Sequence, residues 1–217
     1  MAHRSWVVLA TLIAAFSSRP ASAVGRDGQG RIALAGGPTW ISDNPFTQNA
    51  RADGYDIEQT YTFGPTAVAT FGYWFDQHFE LSIEGGYQHD GYGVRGKKDL
   101  TLDSEMLMAT LRYSFIGGYN LWPYIGASFG YSFNGVSSPF LEPWDSWSAV
   151  GYGEAAELGL GIDLTDHFGI SIELRYTVAI LQTQYPSSLN AGGLTLLLGV
   201  YLRIPKAPET SVIPGSP

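Results

Sequence analysis

The sequence predicts an all-β fold, an up-and-down antiparallel barrel of eight strands. Three observations predict it: apolar and polar residues alternate strictly, one strand unit occurs twice, and the connections are short and long by turns. The repeated unit runs from Phe75 to Tyr87 and recurs from Leu164 to Tyr176, with His, Phe, Ser, Ile, Glu and Tyr in the same places. In the first copy Phe79, Leu81, Ile83 and Tyr87 share one parity and Glu80, Ser82, Glu84 and Gln88 the other. In the second, Phe168, Ile170, Ile172, Leu174 and Tyr176 oppose Gly169, Ser171, Glu173, Arg175 and Thr177. Successive side chains on a strand point to opposite faces, so each copy has one apolar and one polar face.

The apolar face of the first copy carries a ring at each end, Phe79 and Tyr87. At about 3.3 Å rise per residue and a tilt near 45° the two rings stand roughly 19 Å apart along a membrane normal, inside the apolar band of about 25 Å that an outer membrane offers. Aromatic rings suit the two boundaries between lipid and water, which makes this a spanning strand.

The other six strands follow the same rule. Strand one covers residues 31–42, with Ile32, Leu34 and Trp40 on one face, and strand two runs from Gly64 to Phe75. Strand three is the first copy, 79–88, and strand four runs from Leu102 to Phe115, where Leu107, Ala109, Leu111 and Tyr113 alternate with Met108, Thr110, Arg112 and Ser114. Strand five, Leu121 to Phe133, sets Ile125, Ala127, Phe129 and Tyr131 against Tyr124, Gly126, Ser128 and Gly130. Strand six, 150–164, sets Ala156, Leu158, Leu160 and Ile162 against Glu157, Gly159, Gly161 and Asp163. Strand seven is the second copy, and strand eight, 191–204, carries Leu194, Leu196, Leu198, Val200 and Leu202 on one face. Tight turns join strands 2–3, 4–5 and 6–7, whereas polar loops at 43–60, 90–99, 134–149 and 178–190 join the rest. Short turns at one end, long loops at the other and both termini on the short side are the layout of a bacterial outer-membrane barrel, and only helices and closed barrels satisfy every backbone group in lipid.

The N-terminus fits export to that membrane. Residues 1–23 have a basic start at Arg4, an apolar run from Trp6 to Phe16 and a close at Ala21-Ser22-Ala23, the layout of a cleaved signal peptide. The run is too short to cross a bilayer, which takes about 20 apolar residues. The barrel is then 24–204, and 205–217, with four prolines, reads as a disordered tail. Removing Arg4 and Arg19 leaves ten basic residues against 20 acidic ones, a net charge of −10 that argues against a nucleic-acid partner. There is no cysteine, so disulfides, thiolate nucleophiles, Cys-ligated metals and a lipid-modified N-terminal cysteine are excluded. Charged residues are 15% of the chain, too few for the wet exterior of a soluble lipocalin-like carrier, the inside-out alternative to this barrel.

The segments from His78 to Tyr87, from Pro123 to Tyr131 and from Glu157 to Asp163 are similar to those of the small OmpA/OmpX-like outer-membrane β-barrels. The likeness extends over residues 31–204. It implies an integral protein of a Gram-negative outer membrane, monomeric, inserted by the barrel-insertion machinery, in contact with outer-membrane lipids and without cofactor or metal. Two departures are a tail after Ile204 in place of a terminal aromatic, and no peptidoglycan-binding domain beyond it.

With the apolar parity in lipid, Glu80, Glu84, Glu157, Asp163 and Glu173 point inward together with Arg112, Arg175 and Arg203. The interior of an eight-stranded barrel is just filled by side chains, so these groups must pair, with Arg175 bridging Glu173, Glu157 or Glu84. The reading this favours is a structural or surface-interaction, adhesion-like protein with a lumen plugged by ion pairs. A narrow channel, or a lateral route for small hydrophobic molecules as in OmpW-like barrels, is the alternative. Arg95, Lys97 and Lys98 form a basic cluster on the long-loop side, suited to phosphates of lipopolysaccharide. Phe140, Trp144 and Trp147 form an apolar group in the third loop. An enzyme needs a histidine beside a nucleophile at the outer rim, and only His89-Asp90 with Ser132, Ser137 or Ser138 offers one, without a supporting motif. No catalytic function is expected.

Overall fold

The computed structural model describes residues 26–40, 63–92, 100–115, 120–137, 146–181, 189–190 and 192–205. Eight long strands carry them: β1 Gly30–Trp40, β2 Phe63–Trp74, β3 Phe79–Tyr92, β4 Leu100–Ser114, β5 Leu121–Ser137, β6 Ser146–Asp163, β7 Phe168–Leu181 and β8 Leu194–Ile204. A two-residue piece, Leu189–Asn190, pairs with the end of β7 at Ile180 and Leu181. Every ladder is antiparallel, each strand pairs with its neighbour in sequence, and β8 pairs with β1, so the sheet is closed.

The register fixes the size of the barrel. From Gly30 the paired residues lead through Tyr73, Leu81, Leu111, Ala127, Ala156, Tyr176 and Leu194 back to β1 at Trp40, ten residues further along the strand. Eight strands with that stagger, at about 3.3 Å per residue and about 4.7 Å between strands, tilt by about 40° around a backbone cylinder of roughly 8 Å radius. Such a cylinder is just wide enough for side chains to fill.

The expected parity holds on all eight strands. Ile32, Leu34, Phe71, Leu81, Ile83, Leu107, Phe129, Leu158, Ile172, Leu198 and Leu202 are exposed, and residues of the opposite parity are buried. Leu34, at 61% exposure, and Glu84, at 1%, reverse the pattern of a soluble protein and of a soluble calyx. Rings girdle both ends of the apolar band. At the tight-turn end Phe75 stacks on Phe79 at 5.9 Å, and Tyr113 packs edge-on against Phe79 and Phe115 at 5.1 and 5.0 Å. At the loop end Tyr131 and Tyr152 lie 6.2 Å apart, with Tyr87, Phe133 and Tyr176 exposed beside them.

Several strands run longer than their contrast in polarity suggests. β3 continues through Asp90 to Tyr92, β5 to Ser137, β6 begins at Ser146 and β7 ends at Leu181, all inside segments expected to be loop. β8 instead starts at Leu194, later than expected. The signal segment, most of the loops and the tail beyond Pro205 lie outside the described residues.

Inside the tight-turn end sits a small aromatic core of Trp74, Trp122, Tyr124 and Tyr201 with Ala33. Three glycines make room for it. Tyr124 faces Gly159, Trp122 faces Gly161 and Tyr201 faces Gly169 directly across the ladders. A Cβ on these glycines would meet the facing ring at 2.2, 2.1 and 2.1 Å, so the rings lie flat over bare backbone.

Candidate functional site

The midsection of the lumen is built from strand positions that parity turns inward. Arg112 on β4 is 2% exposed and reaches four carboxylates. Its Nε donates to Glu157 Oε2 at 2.8 Å, Nη1 lies 3.5 Å from Glu80 Oε1, and Nη2 bonds Glu84 Oε1 and reaches Glu173 Oε2 at 3.4 Å. Arg175 on β7 lies among three of the same acids. Its Nη2 is 2.6 Å from Glu84 Oε2, 3.0 Å from Glu157 Oε1 and 2.8 Å from Glu173 Oε1, and its Nε donates to Glu173 Oε1 at 2.9 Å. Neutral groups fill the remaining acceptor positions: Tyr124 donates to Glu173 at 2.8 Å, Ser128 to Glu157 at 2.7 Å and Thr70 to Glu84 at 3.3 Å.

Nearer the tight turns a second group forms around Asp163. Arg26 Nη2 lies 3.3 Å from its Oδ2, Arg203 pairs with its Oδ1, Tyr201 donates to it through the phenol, and Trp122 Nε1 donates to it at 3.0 Å. Arg31 adds to the first group by donating from Nε to Glu80 Oε1 at 2.9 Å. All eight residues expected to line the lumen point inward and fall into these two groups.

Two partners were not expected. Five acids facing three arginines is an incomplete set, because Arg26 and Arg31 bring these two groups to five acids against five arginines. Arg31 stands one residue before outward Ile32, so parity alone assigns it to the interior. Arg26 precedes β1, where no alternation exists to read. It is held by Gly28 N–H donating to Trp74 O at 2.8 Å and Trp74 N–H to Gln29 O at 2.9 Å, which tie the lead-in to the end of β2.

Toward the loop end the interior turns to neutral polar groups. Thr39 Oγ1 lies 2.5 Å from Thr66 Oγ1 and 2.8 Å from Thr195 Oγ1, and Ser104 donates to Asn134, which donates to Ser132. Between these and Arg175 lies a cavity of about 20 Å³ lined by residues that include Val68, Gly86, Met106, Met108 and Leu197. That is room for about one water.

The remaining candidates separate. His89 and Asp90 are neighbours on a strand, so the pleat sends them to opposite faces: His89 Nδ1 is 2.7 Å from Asp103 Oδ1 outside, while Asp90 is buried inside and accepts from Gln88 at 2.7 Å. They cannot serve one reaction. Ser132 is inside, and Ser138 is outside the described residues. His78 and His167 lie in matching turns, as expected, and His78 stacks on Tyr113 at 5.4 Å. The loop residues Arg95, Lys97, Lys98, Phe140 and Trp144 and the Trp147 side chain also fall outside the described residues. Among the described residues no group of three His, Cys, Asp or Glu is placed to hold a metal.

A closed antiparallel barrel with an apolar, ring-girdled exterior and a charged interior defines an integral outer-membrane protein. The family model described as outer membrane protein beta-barrel domain matches residues 8–201, and the chain belongs to that family. No curated protein matches the sequence. Among solved structures it is similar in fold to Neisserial surface protein A, with 14% identity over 83% of this chain and 98% of that one at a TM-score of 0.53. OprG from Pseudomonas aeruginosa has 16% identity over 84% and 98% at 0.53. Ail, the attachment invasion locus protein of Yersinia pestis, solved with the heparin analogue sucrose octasulfate, has 16% identity over 82% and 99% at 0.51. The protein resides in the outer membrane of a Gram-negative bacterium.

The geometry makes Arg175 a test of the interior. Replacing Arg175 with Met leaves Glu84, Glu157 and Glu173 with Arg112 alone, and breaking a buried pair on one side costs about 3–5 kcal/mol. The denaturant midpoint of the detergent-folded variant is expected to fall accordingly; an unchanged midpoint contradicts the assignment.

Proposed function

We propose that this barrel is sealed by its interior ion pairs and acts through its surface, as a structural or adhesion-like outer-membrane protein without catalytic activity. The observation that supports it is Arg112, whose guanidinium reaches acids on β3, β6 and β7 at once and so ties three walls of the lumen together. A charge network that spans the bore leaves no continuous water column, and moving it aside would strand charges in a dry interior. The cleaved signal, residues 1–23, and the tail, 205–217, belong to this reading as export and periplasmic segments, and the folded protein is a monomer delivered by the insertion machinery.

A lateral route for small hydrophobic molecules is the second reading, and one feature of the wall favours it. The β2–β3 ladder stops at Thr66 and Gln88, although β1–β2 continues to Trp40 and Phe63 and β3–β4 to Tyr92 and Leu100. Behind that seam lies the small cavity lined by Val68, Gly86, Met106 and Met108. Recording in planar bilayers together with uptake of a small hydrophobic solute into proteoliposomes separates the readings. The sealed barrel shows no single-channel steps and no uptake above empty liposomes. Steps of porin size contradict the seal, and uptake without steps favours the lateral route.

On the outer side, Arg95, Lys97 and Lys98 are proposed to contact lipopolysaccharide phosphates, where Arg supplies a fork and Lys a point charge. Changing all three to Ser is expected to weaken binding of lipopolysaccharide by the folded barrel; equal affinity removes the contact.

A further inference from the structure

The tight-turn end of the lumen gathers three guanidiniums around one indole. Arg26, Arg31 and Arg203 place Cζ 5.7, 5.9 and 6.0 Å from the centroid of the Trp74 ring, and all four residues are buried. Like charges this close in a dry site repel unless counter-charges stand between them. The acids within reach are divided. Asp163 serves both Arg26 and Arg203, and Glu80 serves both Arg31 and Arg112. The five-to-five balance of the two ion-pair groups therefore conceals an axial split, with surplus positive charge at this end and surplus carboxylate around Arg112 and Arg175.

An independent observation points the same way. Trp74 Nε1, Arg26 Nη1 and Arg203 Nε are buried N–H groups with no acceptor. Arg26 spends Nη2 on Asp163 and keeps Nη1, while Trp74 is 0% exposed and its indole can only donate. A water satisfies such donors but brings two hydrogens of its own and no charge. An oxyanion supplies acceptors and negative charge together, and its hydrogen bonds to guanidinium are the stronger kind.

We propose that the tight-turn end of the lumen binds one small oxyanion of phosphate or carboxylate type, held by Arg26, Arg203 and the Trp74 indole N–H, with Arg31 behind them. The ligand enters beside Asp163, whose side chain keeps 17% exposure, from the periplasmic mouth. A position inside the wall separates it from the phosphates of membrane lipids, which lie outside.

The test is a titration of ¹⁵N-Trp-labelled barrel in a non-ionic detergent, with the Trp74 Nε1–H resonance identified by its loss in Trp74→Phe. Inorganic phosphate, acetate and a short-chain phospholipid are added in separate arms, with chloride holding ionic strength constant. Phosphate or acetate is expected to shift this resonance saturably, and the arm that saturates first identifies the preferred oxyanion. Arg26→Gln lies in the lead-in, and its folding is checked by the difference in gel migration between boiled and unboiled samples. It is expected to weaken the apparent affinity by about tenfold. No saturable shift with either free anion, a shift with phospholipid alone, or an affinity unchanged in Arg26→Gln overturns the site.

Discussion

Hydrocarbon offers no partner to a backbone amide, and this one constraint organises the molecule. A sheet in lipid must have no edge, so β8 returns to β1 and every long strand pairs with a neighbour on each side. Closure with a ten-residue stagger sets the tilt and the narrow bore. The bore in turn decides what the inward parity can be: side chains that fill a cylinder with almost no water, and therefore satisfy one another.

The interior answers that demand in three tiers. Rings lying over glycines fill the tight-turn end, arginines and carboxylates fill the middle, and hydroxyls and amides fill the loop end. Charges are costly to bury, and removing one partner costs more than the pair contributes, so the middle tier behaves as a unit. Arg112 has no arrangement that keeps Glu84 and abandons Glu157 without leaving a bare charge in a dry place. If the barrel is sealed as proposed, function falls to its rims. At the outer rim stand the loops, and at the inner rim the lead-in brings Arg26 to within 4.2 Å of the Trp122 ring centroid.

Most of the fold was legible because membrane barrels amplify one signal, the contrast between neighbours on a strand. Where both faces meet water the contrast fades. Residues 134–137 and 146–149 stand beyond the outer girdle, where Asn134, Gly135 and Ser148 look like loop although their ladder continues. Parity assigned Arg112, Glu157 and Arg175 to the lumen and would equally have assigned Arg31. Arg26 carried no signal, because it lies before the alternation begins. Inward Tyr124, Trp122 and Tyr201 run against a simple polar-inside rule, and their trace in the sequence is their partners: Gly159, Gly161 and Gly169 sit on the inward parity of β6 and β7, bare where a ring must lie. Binding by the long loops would leave no trace of this kind, because it depends on surface shape that no periodicity records.

The account rests on which face of the sheet meets lipid. The chain has no cysteine, so Ile83→Cys in an otherwise unaltered protein gives a single attachment point for a spin label. In reconstituted bilayers the label is predicted to relax readily with dissolved oxygen, which concentrates in the hydrocarbon, and poorly with a water-soluble nickel complex. The opposite order, with the label open to the nickel complex and shielded from oxygen, would place the apolar face away from the lipid and contradict the account.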